Sequence, residues 1–139
     1  GRFMALIPDV ETMAPLLGTN AGFGGPWALP ITCRFLADAR KRLGPSYPLI
    51  GTNGARSGLD VVRFLLAGAS AVQMTSAPFM SGFPVLSDAV DVVDRYLTER
   101  DTDASSIIGV AADRLSSYGE QEARPGLWKD FVPEGSLDP

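Results

Sequence analysis

Two short segments of the chain combine residues suited to holding a phosphate: Gly51-Thr52-Asn53-Gly54 and Met74-Thr75-Ser76. Thr52, Asn53 and Gly54 offer small side chains and accessible backbone N–H groups. A helix begins within a few residues of them, so its positive dipole end can face an anion. Thr75 and Ser76 add hydroxyls and further N–H donors. Either segment alone is also compatible with a plain turn. Two in tandem, on strands that would be neighbours, point to one phosphate shared between successive loops. A third segment, Gly22-Phe23-Gly24-Gly25-Pro26, is dense in glycine. It marks backbone that bends sharply or approaches something closely, although spacing alone leaves an ordinary turn equally open.

The elements that would position these loops can be read from the flanking residues. Tyr47 to Gly51 is a short apolar strand that turns at Thr52-Asn53-Gly54, and Ala69 to Met74 is a second strand running into Thr75-Ser76-Ala77. Between them, Ser57 is placed as an N-cap, with Asp60 completing a capping-box pattern. The helix from Leu59 to Ala67 is apolar at Leu59, Val62, Leu65 and Leu66 and ends at Gly68. An earlier helix is expected over Pro30 to Leu43, with Ile31, Phe35, Ala39 and Leu43 on one stripe and Arg34, Asp38, Lys41 and Arg42 facing away. A later one runs from about Leu86 to Leu97, with Ala89, Val90, Val93 and Leu97 on one face and Asp88, Asp91, Asp94 and Arg95 on the other. Strand, loop and helix repeated twice is the rhythm of a parallel sheet. In such a sheet the loop after each strand lies at the ligand-binding edge.

Outside this centre the pattern loosens. Phe3-Met4-Ala5-Leu6-Ile7 reads as a strand with almost no lead-in, and Pro8 to Pro30 as an irregular stretch rich in glycine and proline. Asp101-Thr102-Asp103 would cap a further helix through Ile107, Ile108, Val110, Ala111 and Leu115. The residues from Ser116 to Pro139 read as an irregular tail that packs by Trp128 and Phe131.

Composition narrows the function classes. The 139 residues carry a net charge of −4 and are 45% hydrophobic, enough for one compact domain. Mild acidity gives no reason to expect nucleic acid or a membrane surface as a partner. The absence of histidine removes the commonest general base and the commonest metal ligand, and no metal site is expected. One cysteine, Cys33, allows neither an internal disulfide nor a cysteine-based zinc site, and reads as a small buried thiol. Without an apolar run near ~18 residues, no spanning segment is expected, and the cytoplasm is the expected location.

The stretch from Leu49 to Asp60 (LIGTNGARSGLD), followed by Phe64 to Ala77 (FLLAGASAVQMTSA), resembles the dihydroorotate dehydrogenase family. That family includes the C-terminal barrel of dihydropyrimidine dehydrogenase and has a stretch of the form IIGxGGIxxGxDAxEFLLAGASAVQVGTA. Gly22-Phe23-Gly24-Gly25-Pro26 and Ala28-Leu29-Pro30-Ile31 resemble its GLSGPALKPI loop and helix start, so the similarity runs over residues 22 to 98. The resemblance implies an FMN-dependent (β/α)8 barrel oxidoreductase acting on a small, planar, pyrimidine-like ring. Carried over by position, Gly24 and Gly25 would approach the flavin, Asn53 and Gly54 would stand at the double glycine that holds its phosphate, and Met74, Thr75 and Ser76 at the second phosphate loop. Asn53 replaces a glycine, Gly24 a serine and Thr75 a common glycine, while Trp27 looks like an insertion that either packs in a core or interface or closes over a ligand. Asparagine is the non-glycine residue most tolerant of positive φ, so Asn53 is compatible with the turn.

A complete (β/α)8 barrel needs about 250 residues. The fold class expected is therefore α/β, the last two to three βα units of such a barrel over residues 1–99, with a helix and irregular tail over 100–139. The family's catalytic base, flavin-side lysine and substrate-gripping asparagines would lie earlier, so no catalytic residue is assigned here. Expected partners are a small-molecule substrate, the N-terminal part of the same barrel from this or another chain, and further copies in a homo-oligomer. A non-catalytic interaction subunit, or a non-flavin barrel enzyme for a phosphorylated metabolite, is the alternative.

Overall fold

The computed structural model describes residues 3–120. The chain opens with β1 (Phe3–Ala5), β2 (Pro8–Asp9), β3 (Ala14–Pro15) and β4 (Ala21–Phe23). A 3-10 turn (Pro26–Ala28) leads into α1 (Leu29–Leu43), then β5 (Ile50–Thr52), α2 (Gly58–Leu66) and β6 (Ala71–Gln73). The helices α3 (Ser76–Ser81), α4 (Pro84–Thr98), α5 (Ala104–Ile107) and α6 (Val110–Asp113) follow. β5 and β6 pair in parallel, with Ile50 beside Ala71, Gly51 beside Val72 and Thr52 beside Gln73. The result is mixed α/β with two βα units.

The strand expected at Phe3–Ile7 forms over Phe3–Ala5 but does not join this sheet. It pairs antiparallel with β4, and β2 pairs antiparallel with β3. The supposedly irregular stretch from Pro8 to Pro30 thus supplies three short strands. Side-chain packing explains the placement of β1. The Phe3 ring lies 5.4 Å from that of Trp27 and 6.3 Å from that of Phe35, within the range of favourable aromatic pairs. Among the described residues, then, the parallel sheet has two strands and not three.

Helix α1 packs against β5 and α2 against β6, while α4 packs on α2. Leu36, Phe64, Ala67 and Ala69 form a buried cluster, joined by Leu29, Cys33, Leu49, Ala55 and Val72. Val62, Leu65 and Ile107 form a second, against Val61, Val93, Tyr96 and Leu97. The inward stripe of α1 is therefore Leu29, Cys33 and Leu36, of which Leu36 is buried and the other two partly so, whereas Ile31, Phe35 and Leu43 are exposed. Both stripes have helical spacing; α2 and the sheet select the narrower one, which fits against Phe64 and two alanines. On α4, Ala89 is buried as expected but Val90 is exposed.

Local signals set the helix ends. The Asp60 carboxylate accepts hydrogen bonds from the Arg56 N–H (3.0 Å), the Ser57 N–H (3.1 Å) and the Ser57 hydroxyl (3.1 Å), fixing the start of α2. Arg63 Nη1 pairs with the other oxygen of Asp60 at 2.8 Å. Asp103 caps α5 by accepting the Ser106 N–H at 2.8 Å. The single helix expected through Leu115 is broken at Gly109, whose φ of 81° is left-handed and whose N–H donates to the Leu65 carbonyl at 2.8 Å. Arg40 fastens this segment. Its Nε and Nη2 each donate to Asp113 at 2.9 Å, and its Nη1 donates to the Pro45 carbonyl at 3.2 Å. Trp128 and Phe131 lie outside the described residues. No described helix is long and apolar enough to cross a membrane, and no described group of three His, Cys, Asp or Glu is placed to hold a metal ion.

Candidate functional site

Because β5 and β6 are parallel neighbours, the loops leaving them lie side by side. Thr52, Asn53, Gly54 and Ala55 from one, and Gln73, Thr75 and Ser76 from the other, line a cleft of about 520 Å³. Gly22, Phe23 and Gly24, at the end of β4, close its third side. The lining brings together the hydroxyls of Thr52, Thr75 and Ser76 and the amides of Asn53 and Gln73, without a carboxylate. Among the described residues, the backbone N–H groups of Gly54, Ala55 and Thr75 have no protein acceptor. A site dense in uncommitted donors and free of negative charge is chemically suited to an anion with several oxygen acceptors.

The backbone of the first loop is held in place from both sides. Asn53 has φ 70°, the positive value this residue type tolerates. Its Oδ1 accepts the Gly25 N–H at 3.2 Å, and its carbonyl accepts the Thr32 hydroxyl at 2.8 Å. Gly54 has φ 128°, and a Cβ there would sit 2.6 Å from both N and Cα of Leu29. The crowding that excludes a side chain at Gly54 thus comes from the first turn of α1, not from the cleft. A smaller cleft of about 300 Å³ adjoins the first, sharing Gly54, Ala55 and Ser76 and adding Gly25 and Arg56. Arg56 forms no ion pair among the described residues. The nearby Asp60 charge is offset by Arg63.

Of the residues singled out by sequence, Gly24, Asn53, Gly54, Thr75 and Ser76 meet at the main cleft, and Gly25 borders the adjoining one. Met74 does not join them. It lines a separate apolar groove of about 430 Å³ with Val61, Val72, Leu86, Val90 and Val93. Strand geometry is the cause: successive side chains of β6 alternate, so Val72 and Met74 face the helices while Gln73 and Thr75 face the cleft. The same alternation would have found Gln73, a polar side chain in an otherwise apolar strand, which the motif reading passed over together with Ala55. The short helix α3 was not expected either; it opens at Ser76, beside the cleft. Trp27 packs within an aromatic cluster, its ring 4.7 Å from that of Phe23. Cys33 donates to the Arg63 carbonyl at 4.0 Å, and burial pushes its thiol pKa up, as for an unreactive core thiol.

The family profile described as "Dihydroorotate dehydrogenase" matches residues 4–97, more than half of the chain. The chain belongs to the dihydroorotate dehydrogenase family. It is 36% identical over 109 residues to the "Dihydroorotate dehydrogenase B (NAD(+)), catalytic subunit" of Pyrococcus furiosus, covering 77% of this chain and 36% of that protein. A protein of the same description from Methanopyrus kandleri is 44% identical over 70 residues, which is 50% of this chain and 22% of that one. The "Dihydroorotate dehydrogenase A (fumarate)" of Limosilactobacillus reuteri is 35% identical over 99 residues, 68% of this chain and 32% of that one. The chain thus spans about a third of the length of the Pyrococcus relative. The dihydroorotate dehydrogenase match takes in β4, both cleft loops and nearly all of α4, and stops before α5.

Proposed function

We propose that this chain forms the phosphate-holding edge of an FMN-dependent oxidoreductase of the dihydroorotate dehydrogenase type, acting on a small, planar, pyrimidine-like ring. The observation that carries the reading is the cleft between two parallel-strand loops, with its uncommitted N–H groups at Gly54, Ala55 and Thr75 and its hydroxyls at Thr52, Thr75 and Ser76. Those donors fit the phosphate of FMN: many directional hydrogen bonds, no carboxylate in the lining, and Arg56 in the adjoining cleft as a nearby positive charge. In this reading Asn53, Gly54, Thr75 and Ser76 hold the phosphate, and Gly24 and Gly25 let the backbone approach the rest of the cofactor. When bound, FMN supplies the hydride chemistry; the residues of this chain bind and orient it, and none is assigned a proton transfer.

The open face of the sheet supports placement in a larger barrel. Ile50, on the side of β5 away from the helices, is 67% exposed, as expected of a barrel-interior residue whose partners come from other strands. We assign those strands to the N-terminal part of the barrel, from the same or another chain. The test compares FMN with riboflavin, which lacks the phosphate. The full protein should retain a visible flavin absorbance on purification and bind FMN much more tightly than riboflavin. Ser76→Ala and Thr75→Val should weaken FMN without weakening riboflavin. Equal affinity for the two flavins, or none for either, would overturn the reading.

A further inference from the structure

The loop that follows β4 and the loop that follows β5 are joined by one side chain. Asn53 Oδ1 accepts the Gly25 N–H at 3.2 Å, and it is the nearest atom, at 2.7 Å, to the point where a Cβ on Gly24 would stand. The other atoms near that point are Cγ and Nδ2 of the same residue, at 3.5 and 3.8 Å. Gly24 is not among the residues with positive φ, so left-handed strain does not call for glycine there. The atoms that would crowd a side chain at position 24 are those of the Asn53 amide. Gly24 and Asn53 both line the main cleft, and the Asn53 amide spans the gap between its walls.

We infer that Asn53 and Gly24 form a coupled latch that sets the separation of the two loops, making Asn53 a positioning residue for the ligand of the cleft. The Oδ1 end closes the latch on Gly25. The Nδ2 end has no protein acceptor among the described residues and adds a donor to the cleft wall. Thr32 completes the arrangement by fixing the Asn53 carbonyl at 2.8 Å, so the side chain starts from an anchored backbone. Adding a methyl group at position 24 pushes the amide off the Gly25 N–H; removing the amide has the same result by another route. Two substitutions that break one hydrogen bond cannot each break it again, so their effects must be non-additive.

The latch as a ligand-positioning device rests on the phosphate reading above, and the experiment separates the two. Thermal unfolding and FMN affinity are measured for the full protein and for Gly24→Ala, Asn53→Gly and the double variant. Asn53→Gly suits the purpose because glycine keeps the positive φ of position 53. Each single variant should lower the melting temperature and weaken FMN by about fivefold, the size of one hydrogen bond. In the double variant, the methyl at position 24 should add no further loss of either. Additive losses in melting temperature would overturn the latch. Unchanged FMN affinity in both single variants would overturn the positioning role. If the unmodified protein binds no FMN, the flavin reading fails, and the melting-temperature cycle alone decides the latch. Asn53→Asp gives a readout a merely structural role would not: it keeps the Oδ1 acceptor, and so the melting temperature, yet its charge should abolish FMN binding while sparing riboflavin. Retained FMN binding in that variant would overturn the placement of the amide at the phosphate.

Discussion

Replacing Gly54 with alanine tests whether the first cleft loop is pinned by its backbone conformation, by the helix beneath it, or by both. Gly44 provides the comparison: its φ is 93°, and a Cβ there would meet nothing within 4 Å. Gly44→Ala therefore measures the backbone cost of positive φ alone, here with ψ at 159°, about 1–3 kcal/mol. At Gly54 the φ of 128° carries a backbone cost of the same order, about 1–3 kcal/mol. The added methyl would also stand 2.6 Å from two backbone atoms of Leu29, where carbon contacts prefer about 3.5–4.0 Å. Backbone in the first turn of a 15-residue helix cannot rotate away as a side chain can, and overpacking of this kind costs about 1–3 kcal/mol more. The sum is about 4 kcal/mol, roughly a thousandfold in the folding equilibrium. Urea unfolding followed by circular dichroism gives the number for each variant. If Gly54→Ala is no more damaging than Gly44→Ala, the contact with Leu29 does not constrain the loop, and the account of its pinning is wrong.

Three further outcomes are expected. Leu36→Ala should cost about 2–4 kcal/mol in urea unfolding, because Leu36 is only 6% exposed against Phe64, whereas Phe35→Ala, at a site 60% exposed, should cost less than about 1 kcal/mol. Arg40 holds the Asp113 carboxyl below its ordinary pKa, so the pair stabilises the fold above the usual carboxylate range and loses that contribution as pH falls through the depressed value. The stability gap between the protein and Asp113→Asn, read from urea midpoints, should therefore be constant near neutrality and close below about pH 4. Cys33, whose thiol pKa is raised by burial, should react with Ellman's reagent far more slowly in the native protein than after unfolding; equal rates would show it is accessible.

What the sequence made legible was governed by local chemistry. Ser57 with Asp60, Asp103, and the glycine after α2 mark helix ends because a cap is satisfied within a few residues. Asn53 could be read as compatible with positive φ because that tolerance belongs to the residue type itself. The stripe of α1 was not decidable in that way. Ile31-Phe35-Leu43 and Leu29-Cys33-Leu36 are both apolar at helical spacing, and the choice is made by Phe64, far along the chain. Met74 was drawn into the site because the loop was read as a block, while strand alternation assigns its side chain to the helices and Gln73 to the cleft. The pairing of β1 with β4 was hidden for a different reason: strands of three residues leave too little periodic signal, and the interactions that place them are the rings of Phe3, Trp27 and Phe35.

The Arg40–Asp113 clamp joins residues 73 positions apart, whereas both donor loops of the cleft belong to the single stretch β5–α2–β6. For a folding chain this separates early events from late ones. Pairing β5 with β6 closes a short loop bridged by one helix. Fastening α6 onto α1 must wait for a much longer closure, whose entropic cost grows with the logarithm of the loop. The two cleft loops that follow β5 and β6 can therefore come together while residues 104–113 are still unattached, and those helices act as a late lock on them. Loss of the clamp would then shorten the lifetime of the folded protein while leaving its rate of formation nearly unchanged.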